Sequence, residues 1–94
     1  MIIRIVKMTF INDRIGDFTA LFEARKLTIR NFKGCTHLEL WQDSKHENTF
    51  FTCSHWESEA DLDHYRFSDF FKDTWSQTKL LFSAKPEAWS LVRI

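Results

Sequence analysis

The run Ile2-Ile3-Arg4-Ile5-Val6-Lys7-Met8-Thr9-Phe10 constrains this chain more than any other segment. It is rich in β-branched and aromatic residues and contains neither glycine nor proline, which predicts a strand. Side chains alternate along a strand, so Ile3, Ile5, Lys7 and Thr9 share one face and Arg4, Val6, Met8 and Phe10 the other. Both faces are partly apolar, and both are therefore expected to be covered.

The elements that follow define how. Asn12 or Asp13 can cap a helix running to about Phe32, with Ile15, Phe18, Leu21, Phe22, Ile29 and Phe32 near helical spacing. Gly34 then ends that segment without a Cβ penalty. Cys35 to Asp43 and Asn48 to Trp56 read as two strands turned into one another by the polar Ser44-Lys45-His46-Glu47. Ser58 can cap a short helix through about Tyr65, with Asp61 completing an approximate capping box. Ser68 can cap another from Asp69 to about Phe82, placing Phe71, Trp75, Thr78 and Phe82 on one face. Pro86 marks a break, and Ala88 to Ile94 reads as a closing strand. The order strand, helix, two strands, helices, strand predicts one α+β domain over residues 1–94, a ferredoxin-like four-stranded antiparallel sheet with its helices on one face. The face without helices would be wet in a monomer, so a homodimer is expected.

Composition narrows the class. Ten Phe and four Trp in 94 residues, 44% of the chain being hydrophobic, exceed what so small an interior needs. Some aromatics are therefore expected in a ligand cavity or against a second subunit. Thirteen basic and thirteen acidic residues cancel and form no basic stripe, which argues against nucleic acid. No signal-peptide pattern or apolar run of membrane-spanning length appears, so no membrane partner is expected and the cytoplasm is the default location. Two glycines cannot build a nucleotide-binding loop, and no serine-nucleophile elbow occurs.

The centre of the chain resembles the antibiotic biosynthesis monooxygenase family. Gly34-Cys35, Leu38-Glu39-Leu40 and Gln42-Asp43 lead into Trp56-Glu57-Ser58-Glu59, Leu62, His64, Ser68 and Phe71. Leu38 stands where the family usually has Tyr or Phe. The resemblance implies a dimeric α+β barrel with a pocket in each subunit between the sheet and its helices. Members of that family include enzymes that oxidise phenolic or quinol-like aromatics with molecular oxygen and no bound cofactor, the activity the resemblance points to first. Others degrade haem or modify signalling molecules. A haem-degrading branch uses an Asn on the first strand, a Trp on the short helix and a His ligand on the next. Those positions fall here on Lys7, Tyr65 and Trp75, so haem degradation by that route is not expected.

Within that frame His64 is the candidate proton acceptor, because imidazole titrates near neutral pH. Lys7, a charge in an apolar strand face, is the candidate anion stabiliser if its face looks into the pocket. Trp75, Tyr65 and Phe71 are the candidate substrate-binding residues, supplying stacking surface and one hydroxyl. Each also has a bland reading: Lys7 snorkelling at a strand edge, His64 bracing its helix, the aromatics as core.

A turn at Lys45–Glu47 sets His37 opposite His55 and Glu39 opposite Cys53 on one face. The set is a weak metal candidate and reads better as a barrel interface, where Arg4 would neutralise Glu39. A thiol nucleophile at Cys53 beside His55 carries less weight. In this register Cys35 and Cys53 stand too far apart for a disulfide. A runner-up to the oxygenase is a non-catalytic hydrophobic-ligand-binding or stress-response domain, and a third reading is an isomerase or hydrolase on the same scaffold.

Overall fold

The computed structural model describes all residues, Met1–Ile94. Strand β1 (Ile2–Thr9) leads through a 3-10 turn (Asn12–Arg14) into helix α1 (Ile15–Arg30). Strands β2 (Cys35–Gln42) and β3 (Thr49–Trp56) form the hairpin, helices α2 (Glu59–Arg66) and α3 (Asp69–Lys79) follow, and β4 (Glu87–Leu91) closes the chain. The sheet order is β2-β3-β1-β4, with every neighbouring pair antiparallel. Helix α1 carries the chain past the place that β3 fills, so β1 and β2 run the same way with β3 between them. This is the ferredoxin-like arrangement expected from the element order.

The hairpin register follows the polar turn. His37 pairs with His55, Glu39 with Cys53 and Trp41 with Phe51. One carboxylate oxygen of Asp43 accepts hydrogen bonds from the backbone N–H groups of Lys45 and His46, fixing the turn and holding the Asp43 carboxyl below the usual carboxylate range. An irregularity between Cys35 and His37 brings Cys35 opposite Trp56, and both cysteines are free and buried.

Two helix starts are as expected. The Ser58 hydroxyl accepts from the Asp61 N–H and the Ser68 hydroxyl from the Phe71 N–H. The start of α1 is a correction: neither Asn12 nor Asp13 caps it, and the 3-10 turn intervenes with no side-chain cap at all. There Asp17, in the first turn of α1, takes the Arg14 guanidinium at 2.5 Å. Helix α3 also ends three residues before Phe82, which instead bridges to Phe10.

All three helices lie on the face of Val6, Met8 and Phe10. The core there falls into two clusters. Met8, Phe10, Phe18, Phe50 and Leu81 form one, and Cys35, Trp56 and Leu62 the other, with Phe32 and Tyr65 packed against the second. Trp56 is fully buried, and its indole N–H donates to the Ser54 hydroxyl at 2.9 Å. Between the two clusters the core is hollow.

Candidate functional site

The hollow is a cavity of about 310 Å³, at the lower end of small-molecule sites and sized for one compact ring system. Val6, Met8, Leu38 and Thr52 form its sheet floor, Phe18, Phe22 and Ile29 of α1 one wall, and Tyr65, Phe71 and Trp75 the other. The second wall is a run of rings in contact. Trp56 stacks on Tyr65 at 5.0 Å, Tyr65 meets Phe71 edge-on at 5.1 Å, and Phe71 stacks on Trp75 at 5.9 Å. Trp75 in turn meets Phe82 at 5.5 Å, and Phe82 meets Phe10 at 5.5 Å. The arc joins the two core clusters around the cavity. Its helical members come from two short helices, each started by a serine cap, so the caps fix where the rings stand.

Three of the five residues singled out in the sequence, Tyr65, Phe71 and Trp75, line this cavity together. Burial pushes the Tyr65 hydroxyl well above its ordinary value, which favours its neutral form.

Lys7 and His64 are not brought there. Lys7 alternates with Val6 and Met8 and so points to the helix-free face, where its Nζ lies 3.9 Å from the Glu87 carboxylate. His64 precedes Tyr65 on α2, and that single step turns it outward. It is exposed in the last turn, its ring 6.4 Å from that of Phe32. Of Lys7, His64 and Trp75, only Trp75 therefore reaches the cavity.

The charged residues on the cavity lining are three arginines and Glu87. Arg25 of α1 is anchored, its guanidinium 2.9 Å from both the Asp73 carboxylate and the Thr74 hydroxyl. Arg66 of α2 stands 3.5 Å from Asp63. Arg4 of β1 donates to the Ser90 hydroxyl at 2.9 Å and takes part in none of the six ion pairs of the fold. Its expected partner, Glu39, is on the opposite sheet face and pairs with His37 at 2.9 Å, which holds that carboxyl below its usual range. Arg4 shares its strand face with Val6, Met8 and Phe10, the face that the helices cover.

The helix-free face carries His37, His55, Glu39 and Cys53. The two imidazoles lie 4.7 Å apart, but no three His, Cys, Asp or Glu side chains are grouped to hold a metal ion. Burial pushes the Cys53 thiol up, away from the thiolate a nucleophile needs. No helix is long and apolar enough to cross a membrane.

Residues 1–76 match the family model described as antibiotic biosynthesis monooxygenase. No curated protein matches the chain. Among solved structures, the chain is similar to a crystal structure of an antibiotic biosynthesis monooxygenase, with a TM-score of 0.93 at 16% identity over 100% of this chain and 99% of that one. A protein from Mycobacterium tuberculosis aligns with a TM-score of 0.91 at 18% identity over 99% of this chain and 94% of its own. A conserved protein from Methanosarcina mazei Go1 aligns with a TM-score of 0.90 at 20% identity, covering 97% and 91%. At these identities the structures speak for the fold.

Proposed function

This chain belongs to the antibiotic biosynthesis monooxygenase family, and from that premise we propose that it is a homodimeric monooxygenase that oxidises a small phenolic or quinol-type aromatic in the sheet–helix cavity. The observation that carries this reading is the cavity itself: ring-sized, mostly apolar, and walled by Tyr65, Phe71 and Trp75. Stacked indole and phenyl faces suit a flat, electron-rich ring. The Tyr65 hydroxyl suits a phenolic oxygen, whose ionised form it favours by donating to it.

The chemistry balances without an added reductant. A quinol and O₂ give a hydroxyquinone and water: one oxygen atom enters the ring, the other leaves as water, and the quinol supplies the remaining two electrons and two protons. The protein's part is to hold the ring, favour its oxyanion and exclude bulk water. Neither His64 nor Lys7 is assigned a step, because neither reaches the ring's position.

A second reading, a non-catalytic carrier of a hydrophobic ligand, is favoured by one observation: no imidazole lines the cavity to take a proton. Oxygen uptake with a panel of hydroquinones separates the two. The oxygenase reading expects uptake above background, a fall of about 10²-fold in Tyr65→Phe from loss of a donor to the oxyanion, and a rate within about twofold of wild type in His64→Ala. Saturable binding of the panel without uptake would leave the carrier. A large loss in His64→Ala with its fold intact would return His64 to the mechanism.

A further inference from the structure

Beside a few hydroxyls and Glu87, the polar groups on the largely apolar cavity lining are three arginines, and one of them has no ion-pair partner. Of the three arginines on its lining, Arg25 is held by Asp73 and Thr74, and Arg66 leans towards Asp63. Arg4 has only the hydroxyl of Ser90. It projects from the middle of the sheet, beside Val6 on the same face and between Ser54 of β3 and Ser90 of β4. The one carboxylate residue on the lining, Glu87, is exposed and engaged with Lys7. Arg66 adds a repulsive charge: burial and then the Arg66 guanidinium both lower the Arg4 pKa, with Asp63 opposing them. A half-buried guanidinium kept beside a second one at a ligand-sized cavity is a site for an oxyanion.

We propose that the ligand of this cavity is an aromatic carboxylate, and that Arg4 binds its carboxylate while the Tyr65–Phe71–Trp75 wall holds its ring. This rests on the cavity being the substrate site proposed above and narrows the class of aromatic it takes. A carboxylate fits better than a phenolate as the charged group brought in from solution. It arrives ionised at neutral pH, whereas a simple phenol arrives neutral and no imidazole on the lining would deprotonate it. The planar fork of Arg4 suits bidentate pairing with a carboxylate, a direct partner that none of the fold's own carboxylates provides.

The experiment is calorimetric titration of wild type at neutral pH with 2-naphthoate and with two neutral ligands of similar shape, 2-acetonaphthone and 2-naphthol. The expected result is binding of 2-naphthoate about tenfold or more tighter than either neutral ligand, the range expected for a charge-assisted pair. In Arg4→Gln that preference should collapse to within about twofold while the neutral ligands bind as before. Arg4→Lys, which keeps the charge and loses the fork, should retain a reduced preference. Equal affinities in wild type, no measurable naphthoate binding, or a full preference surviving in folded Arg4→Gln would each overturn the proposal. The wild-type comparison decides it even if a variant fails to fold. Oxygen uptake reports separately: selective naphthoate binding without uptake by any hydroquinone removes the oxygenase and keeps the anion site, and uptake without naphthoate preference does the reverse.

Discussion

Tyr65 is the chain's single tyrosine, so its ionisation can be followed without interference from another phenol. In the unfolded chain a tyrosine loses its proton near pH 10, while in the fold burial favours the neutral form. Above about pH 10 the unfolded state thus holds fewer protons than the folded one, so stability is fully present below that pH and declines as pH rises. Phenolate absorbance during a base titration should show no step near pH 10 in the native protein and should rise only together with loss of the near-ultraviolet dichroism of the tryptophans. In urea the step should return to about pH 10. A reversible native step at that pH would mean that the hydroxyl is freely hydrated and does not face a dry cavity. At this scale the sequence was legible for the rings and not for the charges. Phe71 and Trp75 are tied to one face of α3 by their four-residue spacing, while Tyr65 joins them from α2 through tertiary packing. Choosing between Lys7 and Arg4 needed the knowledge of which strand face the helices cover, and two partly apolar faces do not declare that. His64 was misplaced by one residue of helical rotation, about 100°, which the family resemblance of the segment does not resolve.

Among the elements, hairpin, caps and order were readable because each has a local cause: a polar turn, a serine before an acidic first turn, a change of period. The α1 start was not, because a 3-10 turn leads into the helix and no side chain caps it. The α1–β2 junction shows the same locality in a single residue. Gly34 is buried at φ +85°, and its carbonyl accepts from the Glu57 N–H at 2.8 Å, tying the start of β2 to the end of β3. A Cβ built there would run into the side chain of Asp61 in the first turn of α2. Gly34→Ala therefore combines a left-handed backbone with a steric conflict, and it should destabilise the fold by about 1 kcal/mol or more. Urea unfolding is expected to give a lower midpoint with an unchanged slope. An unchanged midpoint would show that the start of α2 shifts away and that the junction tolerates a side chain. Because α2 carries Tyr65 and Arg66, a looser junction should also weaken ligand binding at the cavity.

At the scale of the whole molecule the question left by the first strand returns: what covers the second face. The helices cover Val6, Met8 and Phe10, and the domain is only 20 Å thick along its shortest axis, one helix layer on one sheet layer. The other face presents Ile3, Ile5 and Phe51, partly exposed, with Trp41 at 44%, Trp89 at 43% and Leu91 at 47% exposure. Cross-strand pairing gathers them, since Ile5 lies between Cys53 and Trp89, and Trp41 opposite Phe51. Patches this apolar and contiguous on a small domain mark an interface, and a second copy brings a surface of the same shape and the same central aromatics. His37, Glu39, Lys7 and Glu87 on that face already pair within the chain, so they can be covered without stranding a charge. The expected outcome is that light scattering at micromolar concentration returns twice the mass of the 11.3 kDa chain. Ile5→Glu, which sets a charge at the centre of that face and leaves the helix side untouched, should shift the mass to that of a monomer while helical dichroism persists. A monomeric wild type would sink the dimer, and a variant that stays dimeric would move the interface elsewhere on the surface.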